Sequence, residues 1–337
     1  MAERLAVAVV GAGRMGRRHA ENLAAGARSR VTWIVDPAGA AARPLAAHCG
    51  AEWTPDIGVA LAAPDVDAVV IATPSTLHAA AVEAAMAAGK PTFCEKPLAV
   101  GMESTHRLCS RIEHAGAYFQ IGFMRRYDPG YAEARRAVAA GELGHIRHAL
   151  AISRDPLPPP EDYIAVSGGI FLDLGIHDID LLRHLVGDDV VRVHAQGNVG
   201  ETGYLTAHDD AEEAQVLVQF AGGATGTLLM SRSSLYGYDI RTELWGTSGS
   251  LAVGYLREPA VTHYDRAGVH SRAVPGFLER FATAYRLEME DFTAAVLEGR
   301  PSPAPAADAL AAAEVAEACR RSFLHGTPVD VAEVRGV

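Results

Sequence analysis

The six apolar residues Leu5 to Val10 run straight into Gly11-Ala12-Gly13-Arg14-Met15-Gly16, and a helix-compatible stretch, Arg17 to Ala25, follows. No other feature restricts this chain as strongly. A buried strand, a glycine loop and a helix start, in that order, describe the first turn of a dinucleotide-binding βαβ unit. In such a loop Gly11 makes the tight turn, Gly13 lets the backbone approach a pyrophosphate, and Gly16 lets the helix pack closely. Backbone N–H groups around Ala12, Arg14 and Met15 are then placed to bind the diphosphate.

Asp36 stands twenty residues after Gly16, at the end of the second apolar run, Val31 to Val35. A carboxylate there accepts hydrogen bonds from the adenosine ribose hydroxyls and repels a 2′-phosphate, which predicts NAD. Arg43, the nearest base, leaves NADP open. Thr73 and Pro74, closing the run Ala68 to Ala72, are candidates to line the cofactor; the alternative is a plain strand-ending turn.

Further strand runs at Thr92 to Cys94 and Tyr118 to Ile121 alternate with alanine-rich helical stretches, which predicts a parallel sheet covered on both faces. After a Pro-rich loop, Asp155 to Pro160, the pattern changes. A helix is predicted over Phe171 to Leu185. Alternating runs follow at Val190–Gln196, Ala214–Phe220, Thr225–Met230, Ile240–Trp245 and Ser250–Val253, separated by glycine turns. Two helices, Phe277 to Glu298 and Ala306 to Leu324, flank a proline-rich break. The expected class is α/β: a Rossmann-type doubly wound domain over residues 1–122, then an α+β domain over 123–337 with a large, open, mostly antiparallel sheet. The C-terminal helices are placed to pack back on the first domain.

Length agrees with two domains, since 337 residues exceed the roughly 100–200 of one domain. With 30 basic and 41 acidic residues the formal charge is −11, which argues against nucleic acid or an anionic membrane as partner. Six apolar residues at the N-terminus are too few for a signal sequence or a span, so a cytoplasmic protein is expected. Cys49, Cys94, Cys109 and Cys319 show no C-x-x-C pair and read as reduced thiols.

Two segments carry candidate chemistry. Lys96, in Cys94-Glu95-Lys96-Pro97, lies at the carboxyl edge of the sheet, where open α/β folds bind ligands; the plain alternative is a solvated lysine paired with Glu95. In Gly168 to Asp180, a continuous helix puts Asp173, His177 and Asp180 on one face. A histidine can remove a hydroxyl proton at neutral pH, and a carboxylate one turn away orients it. A buried structural histidine fits the spacing equally well. A metal site that adds His184 is disfavoured, because ligands over three helical turns cannot all reach one ion.

Gly11 to Gly16, Glu95-Lys96-Pro97 and Gly168 to Asp180 together resemble the glucose-fructose oxidoreductase, inositol dehydrogenase and MocA family. Gly122 to Tyr131, Tyr236 to Ile240 and Arg280 to Tyr285 are similar to its inositol 2-dehydrogenase branch. The resemblance implies NAD-dependent oxidation of a ring polyol and catalytic Lys96, Asp173 and His177; separately, the spacing predicts no metal. It places Glu95 and Lys96 beside the cofactor and Met124, Arg125, Tyr236 and Tyr238 near the polyol. It also implies a homotetramer or dimer formed through the C-terminal sheet. The segment from Ser153 to Pro160 departs from the inositol branch and leaves an aminocyclitol or pyranose open, with Asp155 or Glu161 available to an ammonium. A non-catalytic NAD-responsive binding protein is the alternative of another class.

Overall fold

In the computed structural model, β1 (Leu5–Val10) is buried along its whole length, as a strand covered on both faces must be. It leads into α1 (Arg14–Ala25), β2 (Ser29–Val35), α2 (Gly39–Cys49), β3 (Glu52–Thr54), α3 (Ile57–Ala62) and β4 (Ala68–Ile71). Then come α4 (His78–Ala87), β5 (Thr92–Glu95), α5 (Met102–Ala115) and β6 (Phe119–Gly122). All pairings are parallel, in the order β3-β2-β1-β4-β5-β6. The order reverses between β1 and β4, so the glycine loop opens at the topological switch point. Helix α1 starts at Arg14, three residues before the expected Arg17. The edge strand β3 was not expected, because Glu-Trp-Thr is too short to show a period.

The structure describes residues 4–200, 202–254 and 261–335. The first three residues of the N-terminal stretch and the outer limits of the expected domains, 1 and 337, lie outside these.

After β6 come α6 (Pro129–Ala139), β7 (Ile146–Arg154), α7 (Glu161–Ser167), α8 (Gly169–Asp173), α9 (Ile176–Val186) and β8 (Val190–Asn198). They are followed by β9 (Glu213–Phe220), β10 (Thr225–Ser231), β11 (Asp239–Gly246), β12 (Ser250–Val253), β13 (Thr262–Asp265) and β14 (Gly268–Ser271). The described chain closes with α10 (Phe277–Arg280), α11 (Ala282–Glu298), α12 (Ala306–His325), β15 (Val329–Asp330) and α13 (Ala332–Arg335). The large sheet has the order β12-β11-β7-β10-β9-β8-β15. Every pairing in it is antiparallel except β7 with β10. Strict alternation of buried and exposed residues along β9 marks one face for the core and one for solvent. Exposed Leu217 and Trp245 lie on strands of this sheet.

Two expectations are corrected. Phe171 to Leu185 is not one helix: α8 ends at Asp173, and α9 begins at Ile176 after a turn at Leu174-Gly175. The N–H groups of both turn residues return to Ile170 O, tightening the chain there. The helix expected over Phe277 to Glu298 likewise breaks at Phe281.

The chain forms two compact units, Met1–Tyr127 with Thr283–Ala311, and Asp128–Ala282 with Ala312–Val337. In the first unit, Met289 and Phe292 of α11 complete the apolar core made by Val7, Val9, Leu23, Ile34, Val70 and Phe93.

Candidate active site

The first unit holds a cradle shaped for a dinucleotide. Gly11 has φ +103, and a Cβ there would lie 2.4 Å from Ala72 O; a Cβ on Gly16 would lie 1.8 Å from Gly11 O. Neither position admits a side chain. Gly13, by contrast, is exposed, and the place of its missing Cβ is empty within 4 Å. It caps α1 with no side-chain hydrogen bond and no acid in the first turn, so the N–H groups of Arg14 and Met15 start a helix end suited to an anion. Asp36 accepts from Ala12 N–H through Oδ2 and from Ala38 N–H through Oδ1, both at 2.7 Å. Each carboxylate oxygen keeps a second lone pair for a ribose hydroxyl. Thr73, at the end of β4, has a buried hydroxyl oxygen with no hydrogen-bond partner among the described residues. These features fit NAD.

His78, which the sequence reading did not single out, ties two of these turns together. Its ring lies 2.7 Å from Pro97 O through Nδ1 and 2.9 Å from Thr73 O through Nε2. Burial outweighs both carbonyls and holds its pKa below the ordinary histidine value. Lys96 follows directly on β5 and is half-buried, joined to Pro97 by a cis peptide bond. Glu95 turns to the interior instead, with Oε1 2.6 Å from Nε2 of the fully buried His19. Met124 and Arg125 sit just past β6, both buried.

In the second unit, Asp173 is gripped from two sides. Tyr163 of α7 donates its hydroxyl to Oδ1 at 2.8 Å, and Arg232 Nη1 lies 3.5 Å from Oδ2. His177 is half-buried in the first turns of α9, whereas Asp178 and Asp180 are buried. Because α8 stops at Asp173, the continuous helical face expected for Asp173, His177 and Asp180 is interrupted. Asp155 follows β7, donating its N–H to Ser231 O and accepting Ser234 N–H on its carbonyl, so it stands beside the end of β10. Tyr236 is exposed; its hydroxyl donates to Asp239 at 2.6 Å and accepts from Arg154 at 2.9 Å. Tyr238 is buried and bridges to Val274. Asp155, Tyr236, Arg232 and Asp173 are thus gathered where parallel β7 and β10 end. Sequence reasoning missed Tyr163, Arg232 and Asp210; the one available signal was a lone arginine directly after the apolar run of β10. Among the described residues no group of three His, Cys, Asp or Glu is arranged to hold a metal, and no helix is long and apolar enough to cross a membrane.

Residues 5–123 match the family model described as oxidoreductase family, NAD-binding Rossmann fold, and residues 131–252 match the GFO/IDH/MocA C-terminal domain. A scyllo-inositol 2-dehydrogenase (NAD(+)) from Bacillus subtilis is 36% identical, across 98% of this chain and 97% of that one. The chain belongs to the Gfo/Idh/MocA family. Among solved structures of this family, a myo-inositol dehydrogenase from Corynebacterium glutamicum superposes with TM-score 0.93 at 33% identity, covering 97% of this chain and 98% of that one. The scyllo-inositol dehydrogenase from Lactobacillus casei, solved with NAD(H) and scyllo-inositol, gives 0.89 at 30% identity, covering 98% and 100%.

Proposed function

We propose that this Gfo/Idh/MocA protein is an NAD-dependent dehydrogenase that oxidises one secondary ring hydroxyl of a cyclitol, as in the conversion of myo-inositol to its 2-keto form. One observation carries the reading: a chain with a complete cradle ending in Asp36 and a gripped Asp173 matches inositol dehydrogenases along nearly its whole length. Residues 1–122 are assigned to the dinucleotide, and 123–337 to the cyclitol and to assembly.

Bound NAD supplies the hydride acceptor. His177 takes the proton of the reacting hydroxyl, the general-base step that an imidazole performs at neutral pH. Asp173 orients that imidazole and stabilises its protonated form. Lys96 donates a hydrogen bond to the reacting oxygen and favours the negative charge that develops there. Met124, Arg125, Asp155, Tyr236 and Tyr238 are assigned to the cyclitol. Glu95 is assigned to the cofactor beside Lys96, and its bond to His19 also holds the end of β5. The half-exposed open sheet is assigned to a homotetramer or dimer, and thiols at Cys49, Cys94, Cys109 and Cys319 fit a cytoplasmic enzyme.

The test is NADH formation by purified protein with myo-inositol, scyllo-inositol, glucose and an aminocyclitol, each with NAD and NADP. Turnover of an inositol with NAD is expected. Turnover restricted to glucose or the aminocyclitol would move the substrate class, and silence across the panel despite NAD binding would favour a sensor.

A further inference from the structure

A guanidinium without solvent contact lies beside the candidate catalytic acid. The Arg232 side chain is 0% exposed, and it leaves the chain immediately after β10. Burying a cation is costly unless hydrogen-bonded anions meet it. Two do: Nη2 is 3.2 Å from Oδ2 of buried Asp210, and Nη1 is 3.5 Å from Oδ2 of Asp173. Asp210 is itself anchored, its Oδ1 accepting Ile170 N–H at 2.7 Å and Ala211 N–H at 2.8 Å. Ile170 lies in α8, the short helix that ends in Asp173. The Arg232 N–H is also committed, donating to Glu212 O at 2.8 Å. Asp210 thus grips α8 at its start while Arg232 reaches the carboxylate at its end.

We propose that Arg232, fixed by Asp210, is a positioning residue that sets the orientation and the ionised state of Asp173. This rests on the reading that Asp173 serves His177. A fork with two donor arms on two carboxylates defines direction as well as charge, which a lysine cannot reproduce. Three groups from separate elements border or steady Asp173: Tyr163 from α7, Asp210 before β9 and Arg232 after β10. His177 lies four residues along the chain. Arg232 opposes protonation of Asp173, and the Tyr163 hydroxyl bond favours the same charged form.

The experiment compares Arg232→Gln, Arg232→Lys and Asp210→Asn with Asp173→Asn, using the inositol of the panel that turns over fastest with NAD. Thermal melts and NAD binding identify the folded variants. Arg232→Gln is expected to lower kcat about 10–100-fold with KM nearly unchanged. The acidic limb of its kcat/KM profile is expected to move to higher pH, because the cation 3.5 Å from the carboxylate is lost. Arg232→Lys restores the position of that limb but only part of kcat. Asp210→Asn loosens the hold on the fork and gives a smaller loss of kcat, without the shift of the acidic limb to higher pH, because the charge it removes is negative. A crystal structure of Arg232→Gln reads the geometry without turnover, and the Asp173 carboxylate is expected to rotate away from its present direction. Folded variants with unchanged kcat and pH profile, or an unmoved Asp173 in that crystal structure, overturn the proposal. If Asp173→Asn itself leaves turnover intact, the catalytic reading fails instead.

Discussion

Asp36 reaches from the end of β2 to the glycine loop and accepts the Ala12 N–H at 2.7 Å. One carboxylate therefore shapes the glycine loop, and in the proposed reading it also receives the ribose. Asp36→Ala is expected to weaken NAD binding about 10–100-fold, since a hydrogen bond to a charged group contributes about 1.5–3 kcal/mol. NADP binding should weaken less or improve, because the repulsion of its 2′-phosphate disappears. Titrations of both nucleotides by fluorescence decide this, and an unchanged ratio of the two affinities would show that Asp36 does not select the cofactor.

For the proposed proton transfer, His177→Ala, Asp173→Asn and Lys96→Met should each lower kcat by about 100- to 10,000-fold. Their NAD dissociation constants should stay close to that of the parent protein. The pairing of the two measurements matters: a variant that loses NAD affinity along with turnover has damaged the cradle and says nothing about chemistry.

His78 sits between two carbonyls, those of Thr73 and Pro97, and a neutral imidazole can donate to only one of them. Its folded pKa lies below 6.5, with burial the leading cause. The unfolded chain therefore binds the proton more readily, and the stability contributed by neutral His78 is present above about pH 6.5 and is lost as pH falls through the folded value. His78→Gln is expected to cost about 1–3 kcal/mol at pH 8. Melts at pH 8 and pH 5.5 should show the gap between the two proteins closing at the lower pH; a constant gap would rule out this linkage.

What could be read along the chain was whatever a local pattern encodes. The glycine loop, Asp36 and the five apolar runs from Leu5 to Ile121 are contiguous, so their spacing alone described the parallel sheet. The strands from β8 to β12 announced themselves by alternation and glycine turns. Strand β7 did not, although it lies between β11 and β10, because Ile146-Arg-His-Ala-Leu-Ala-Ile-Ser-Arg mixes alanine and charge in a way that hides its period. The partners of Asp173 were illegible for a different reason. Arg232 is 59 residues from it, and Asp210 is 22 residues from Arg232, so only the folded sheet brings the three together. The helix expected through Asp173 and His177 failed at Leu174-Gly175, where Leu174 and Gly175 compete for the same carbonyl.

A second buried acid makes a sharper test of the first unit. Glu288 of α11 is 0% exposed, and neither carboxylate oxygen has a hydrogen-bond partner among the described residues. Burial raises its pKa well above 4.5, and the charges of Glu95 and Asp291 push in the same direction. Tyr127 is raised in turn, by burial first and then by Glu288. Because the native state keeps a proton that the unfolded chain releases near pH 4.5, stability is full below that pH. It declines as pH rises through the folded value and then levels off. Glu288→Met removes the acid while keeping much of its volume, and it is expected to stabilise the protein at pH 8 by about 1–4 kcal/mol. The gain should shrink steadily toward pH 4.5. Denaturant unfolding across that range reads the difference directly, and a gain that did not vary with pH would mean that Glu288 carries no proton into the native state.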